Sequence, residues 1–182
     1  MKEVSVFLAD GFEEIEGLTV VDILRRAGAE VKTVSVTGSR TVRGAHQIEV
    51  LADVLFEETA FENTYMLVLP GGMPGTIHLQ EHEALQKLLL SFYERKLPIA
   101  AICAAPSILG KLGFLKGRKA CAYPSFEAAL TGALVVKEPA VTDGNITTGR
   151  GMGTAIAFGL RLVAILYGEE KAQEVKKAIV YE

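Results

Sequence analysis

The chain is poor in cysteine: Cys103 and Cys121 are the whole complement of its 182 residues. Two thiols without secretion signals point to a reducing compartment and argue against a disulfide framework, and a cytoplasmic location is expected. They lack CxxC spacing, and no zinc or other metal centre is expected. No apolar run approaches the roughly 20 residues of a membrane span. Met1-Lys2-Glu3-Val4 enters a strand-like pattern at once, so no signal peptide is expected. Excess charge is missing too. The formal net charge is -3 and the basic residues are scattered, which argues against nucleic acid as a stable partner. Repeats, low-complexity stretches and linkers are absent, so residues 1–182 are expected to form a single domain.

What is there is material for a core. Hydrophobic residues make up 49% and charged residues 23%, the balance of a globular protein. Short apolar runs rich in β-branched residues predict buried strands at Val4 to Ala9, Val31 to Val36, Tyr65 to Leu69 and Pro98 to Ile102. Between them, Glu16 to Gly28 has helical spacing, with Leu18, Val21, Leu24 and Ala27 on one face. Glu83 to Glu94 and Ala104 to Leu112 also read as helices. Gly38 to Glu49 reads as a loop and a hairpin, and Asp53 to Thr59 as a short helix. Ala120 to Tyr123, Leu134 to Val136 and Asn145 to Thr148 read as later strands. Two helices, Gly153 to Tyr167 and Glu169 to Ala178, end the chain. Strands alternating with helices imply an α/β protein with a mostly parallel sheet covered on both faces. In such folds ligands sit at the carboxyl edge of the strands. Three motifs fall there: Asp10 to Glu16, Pro70 to Gly75 and Cys103 to Pro106.

The third motif carries the chemistry. In Ala101-Ile102-Cys103-Ala104-Ala105 a strand turns abruptly into a helix, and small residues flank the cysteine, as a tight nucleophile elbow requires. A helix amino end with free N–H groups favours thiolate over thiol. Gly71 and Gly72, ending the neighbouring strand, let backbone N–H groups approach an oxyanion. Glu16 can face the same rim, where a carboxyl beside a thiolate tends to stay protonated and to donate a hydrogen bond to sulfur. Cys121, between Ala120 and Ala122, reads as a structural residue of the sheet. His78 and His82 have metal-compatible spacing but no third ligand. Asp22 and Arg26, four apart, suit an intrahelical pair. Gly149 to Thr154 is glycine-rich but lacks a P-loop lysine, and reads as a packing turn.

As a set, these motifs resemble the DJ-1/ThiJ/PfpI superfamily, in its DJ-1 (YajL-like) branch. The resemblance is carried by Ala9 to Glu16, Asp22 to Gly28, Leu69 to Gly72, Ala100 to Pro106 and Thr148 to Thr154, in family order across nearly the whole chain. It implies a flavodoxin-like three-layer α/β sandwich that forms a homodimer, with the first helix at or near the interface. It also implies that Cys103 is the reactive cysteine, that Glu16 hydrogen-bonds its sulfur, that Gly72 and Ala104 supply backbone donors, and that Arg26 approaches across the dimer. Gly71, Tyr123 and His46 are accessory candidates. Two departures matter. Ala104 stands where many relatives carry a histidine, so peptidase chemistry is disfavoured. Tyr123-Pro124 stands where the branch often has histidine-proline, and tyrosine is a poor base at neutral pH. His46 aligns with a second anion-facing arginine of relatives.

The activity implied is that of a cofactor-free glyoxalase or deglycase acting on methylglyoxal, glyoxal or their adducts. The alternative is an oxidative-stress sensor or redox-regulated chaperone using the same cysteine. No thiazole or pyrimidine phosphate site supports a role in thiamine synthesis.

Overall fold

The computed structural model describes residues 2–182. The chain opens with β1 (Glu3–Leu8), α1 (Glu14–Arg26) and β2 (Glu30–Ser35), then a hairpin of β3 (Thr41–Arg43) and β4 (Glu49–Leu51). After β5 (Val54–Leu55) come β6 (Thr64–Leu69), α2 (Gly75–Glu81), α3 (Glu83–Glu94) and β7 (Ile99–Ile102). The second half contains α4 (Pro106–Lys111), β8 (Lys119–Ala120), β9 (Leu134–Val135), β10 (Ala140–Asp143), β11 (Ile146–Gly149), α5 (Ala155–Tyr167) and α6 (Glu169–Ala178). One seven-stranded sheet runs in the order β10-β11-β7-β6-β1-β2-β5. Every pairing in it is parallel except the antiparallel edge of β10 on β11.

The strands are apolar on both faces because both faces are covered. Val4, Val6 and Leu8 of β1, with Met66, Val68, Ala100 and Ile102, point to one side and pack with α1, α5 and α6. Phe7, Leu67, Leu69, Ile99 and Ala101 point to the other and pack with α2, α3 and α4. The result is a flavodoxin-like three-layer sandwich, as expected. None of the helices of the described residues is long and apolar enough to cross a membrane.

Several local expectations shift. The first helix starts two residues early, at Glu14, and Leu18 is 39% exposed; the buried face is Gly17, Val20, Val21, Ile23 and Leu24, which contacts α5. The helix expected over Asp53 to Thr59 is instead β5 followed by a single 3-10 turn, Phe56–Glu58. A tertiary tether explains this. The Asp53 carboxylate accepts from the Thr33 N–H and hydroxyl, both at 2.8 Å, and from Arg25 at 2.7 Å, which lays Val54 and Leu55 alongside β2. The segment Ala120 to Tyr123 is extended only at its start, in a small parallel pair of β8 with β9. Helix α4 begins at Pro106 rather than Ala104. The edge strand β10 was not expected.

Candidate active site around Cys103

β7 delivers its last residue, Ile102, to the carboxyl edge of the sheet, and the chain turns at once. Cys103 sits at φ 65°, in the left-handed region that a non-glycine residue rarely adopts. Its neighbours hold it there. The Cys103 N–H donates to the Gly149 carbonyl at 3.0 Å, and its own carbonyl accepts from Tyr123 N–H at 2.9 Å. Ala104 and Ala105, the small residues that follow it, are buried. Cys103 itself is partly exposed. The result is a strained elbow that leaves the cysteine partly buried at the carboxyl edge of the sheet.

Glu16 reaches the elbow from the first turn of α1. Its side chain is fully buried, an unusual place for a carboxyl. Oε2 accepts from Gly71 N–H at 2.9 Å, while Oε1 is buried with no hydrogen-bond partner of good geometry. Gly71 makes the approach possible: a Cβ there would lie 2.7 Å from both Cys103 Cβ and Glu16 Oε2. Gly72 adopts φ 92°, and a side chain there would collide with the backbone of Gly11 and Phe12.

Burial raises the Glu16 carboxyl to about 7, against the smaller lowering effects of the Cys103 thiol and Gly71 N–H. The thiol is also raised, to about 12, first by burial and then by the Glu16 charge and hydrogen bond. The N–H groups of Ala104 and Gly72 pull it down. The expectation of a thiolate favoured by the helix amino end therefore needs correction: α4 is a six-residue helix starting three residues beyond Cys103, and burial beside a carboxylate outweighs it. With a value of about 7 the carboxyl is protonated below neutral pH and shared between its two forms near pH 7. With the proton on Glu16, the charge that opposes the thiolate is gone, so the two groups titrate as a pair.

The remaining candidates are placed less centrally. Tyr123 supports the Cys103 backbone through its N–H, and its side chain is half exposed. His46 stands over the start of α1, with Nδ1 2.9 Å from Glu14 Oε2 and 3.5 Å from Glu13 Oε2. Glu13, Glu14 and His46 are a group of metal-capable atoms, all within 4.8 Å of one another. Glu14 is already engaged, accepting from the His46 N–H at 2.7 Å and from the ring nitrogen. Arg26 is not brought to the site within the chain. It lies ten residues beyond Glu16 on the same helix, about 15 Å along its axis, and pairs with Asp22 in solvent. Cys121 is fully buried and held by Thr148, the structural role expected of it. His78 and His82 go separate ways, one bonding the Asp10 carbonyl and the other capping α3. Sequence reasoning missed Glu127 and Arg150, which pair beside Tyr123 at 3.6 Å. The glycine-rich run around Arg150 was the one available signal.

A doubly covered parallel sheet with a cysteine on a strained turn at its carboxyl edge, backed by a buried glutamate, defines a class of α/β thiol proteins. Within it, the chain belongs to the DJ-1/PfpI family, whose model matches residues 2–165. It is 37% identical to Protein dj-1beta of Drosophila melanogaster over 181 residues, covering 98% of this chain and 97% of that one. Protein DJ-1 homolog B of Arabidopsis thaliana is 37% identical over 178 residues, but those span only 40% of its length. Among solved structures, oxidized DJ-1 of Toxoplasma gondii superposes with a TM-score of 0.95 at 35% identity, covering 100% of this chain and 99% of the other.

Proposed function

We propose that the protein is a cofactor-free glyoxalase or deglycase that handles methylglyoxal, glyoxal or their adducts through Cys103. One observation carries this reading: a fully buried carboxyl titrating near 7 stands beside a partly exposed cysteine on a strained turn. A group with that pKa can both give and take a proton at neutral pH.

Glu16 carboxylate takes the Cys103 thiol proton as the sulfur adds to the aldehyde carbon of methylglyoxal, and the C=O electron pair moves to oxygen. The Glu16 carboxyl passes that proton to the new alkoxide, which the N–H groups of Gly72 and Ala104, the donors nearest the sulfur, stabilise. Glu16 carboxylate then removes the proton from the former aldehyde carbon and hands it to the ketone oxygen, giving an enediol. Glu16 finally moves the hydroxyl proton of the former aldehyde carbon to the adjacent carbon, which leaves a lactoyl thioester on Cys103. Water hydrolyses the thioester to lactate and regenerates the thiol, so methylglyoxal and one water become lactate with no external oxidant.

Dimerisation belongs to the same proposal. Ile15 and Leu18 on α1, with Ile48 and Leu51 on the hairpin, are exposed apolar side chains, and the Ile48 N–H bonds Glu14 of α1. A second copy covering them would carry its own Arg26 toward this face. The second reading keeps the same residues but lets Cys103 oxidise to sulfinate as a stress sensor or chaperone switch. Partial exposure of the thiol favours it, as does the oxidized state in which the Toxoplasma relative was solved.

The test is direct measurement of lactate from methylglyoxal with wild type, Cys103→Ser and Glu16→Gln. Catalytic lactate from the wild type alone is expected. No lactate from the wild type sinks the glyoxalase reading and leaves the sensor, to be followed by the mass of Cys103 under peroxide.

A further inference from the structure

Two peptide segments grip the backbone of Cys103. One is the end of β11, whose Gly149 carbonyl takes the Cys103 N–H; the next residue is Arg150. The other is the stretch entering the 3-10 helix Pro124–Ala129, whose Tyr123 N–H donates to the Cys103 carbonyl; that helix carries Glu127. Arg150 Nη2 and Glu127 Oε1 are 3.6 Å apart, so an ion pair joins the two gripping segments to each other.

The pair is only partly solvated, its side chains 32% and 24% exposed. Arg150 Nε and Glu127 Oε1 are both buried, and neither has a hydrogen-bond partner. Buried polar groups left incompletely paired cost stability, so the arrangement is a poor way to hold a fold together. What it does hold is a geometry. A residue at φ 65° persists only when its surroundings over-determine it, and both backbone clamps on Cys103 lie within a few residues of the pair. The chain's own packing supports this: Gly151, next to Arg150, leaves a Cβ-sized space 3.5 Å from the Tyr123 ring, so the two segments also meet there.

We propose that Glu127 and Arg150 are positioning residues for the nucleophile, their ion pair closing a ring of contacts that fixes the Cys103 elbow. The inference rests on Cys103 being the reactive group of the proposed function, and not on any aldehyde chemistry. If the ring is opened, the elbow relaxes and sulfur loses alignment with the Gly72 and Ala104 N–H groups that favour its anion.

The experiment follows carbamidomethylation of Cys103 by mass spectrometry from pH 6 to pH 10 in wild type, Glu127→Gln, Arg150→Met and the charge-retaining Arg150→Lys, with thermal unfolding of each. Glu127→Gln and Arg150→Met are expected to shift the pH profile upward by about one unit, slowing the reaction at pH 8 about tenfold. Arg150→Lys is expected to stay closer to wild type. Unmoved profiles in Glu127→Gln and Arg150→Met overturn the proposal, whatever happens to the melting temperature. Glu127→Gln is nearly isosteric, and decides the matter alone should Arg150→Met not fold. Since no aldehyde is used, the result is independent of whether methylglyoxal is turned over.

Discussion

Glu16 and Cys103 converge on the single corner left free by Gly71, each with an atom 2.7 Å from the point a Gly71 Cβ would occupy. Two ionisable groups this close cannot both carry negative charge cheaply, and their interaction decides what the site does. Replacing Glu16 by Gln separates its two effects. Glutamine keeps an acceptor for the Gly71 N–H but removes both the charge that opposes the thiolate and the exchangeable proton. At pH 8, Glu16→Gln should therefore alkylate Cys103 several-fold faster than wild type. Lactate formation should fall by about 100-fold or more, the scale of lost acid–base catalysis. Slower alkylation at pH 8 in the variant would show that the carboxyl helps the thiolate rather than opposing it.

The same carboxyl makes folding pH-dependent. Its folded pKa of about 7 lies above the ordinary value of 4.5, mainly because of burial. The folded state then binds more protons than the unfolded state between those two values, so stability falls as pH rises from 4.5 through 7. The contribution is up to about 3 kcal/mol. Urea unfolding of wild type should show a midpoint that declines over this window, and the decline should be smaller in Glu16→Gln. Parallel curves for the two proteins would place the titrating group elsewhere.

Gly71 is required for room rather than for flexibility. A Cβ there meets Cys103 Cβ, Glu16 Oε2 and the Ile102 carbonyl within 2.9 Å, and all three are held by the sheet or by α1. Gly71→Ala should cost about 1–3 kcal/mol, as overpacked sites do, and should abolish turnover by pushing the two reacting groups apart. Gly153→Ala is the control, since nothing lies within 4 Å of its Cβ position. A Gly71→Ala protein with normal stability and lactate output would show that this corner yields freely.

Much of this was legible in sequence because local pattern and final environment agree. Val4 to Ala9, Tyr65 to Leu69 and Pro98 to Ile102 are continuous apolar runs, and they became central strands buried on both faces. Small residues around Cys103 forecast the tight turn, although not its φ. The failures are non-local. Val54 and Leu55 are a strand because of Asp53 bonds to Thr33 and Arg25, 20 and 28 residues away. The pairing of Glu127 with Arg150 likewise depends on where β11 and a 3-10 helix meet. The raised thiol pKa could not be anticipated from a helix amino end alone, because burial and the Glu16 charge exist only in the folded chain.

His46 illustrates the same point and gives a last test. In sequence it sits in a polar loop. In the fold it joins Glu14, which is buried in the first turn of α1 and gathers the N–H groups of His46 and Ile48 as well as the His46 ring. Burial tends to raise the Glu14 carboxyl, but its bonds to the His46 ring and to backbone N–H groups together hold it below its ordinary value. The His46 ring is raised, first by its bond to Glu14 and then by the charges of Glu13 and Glu14. The signs differ accordingly. The Glu14 contribution to stability is present above the unfolded carboxylate pKa and is lost as pH falls through its lowered folded value. The His46 contribution is complete below pH 6.5 and is lost as pH rises through its raised folded value. An NMR titration of the ring should therefore give a His46 pKa above 6.5 in wild type, moving back toward it in Glu14→Gln. An unchanged value in that variant would mean that Glu13 alone sets the charge of the ring, and that the loop is held by the backbone bonds rather than by the imidazole.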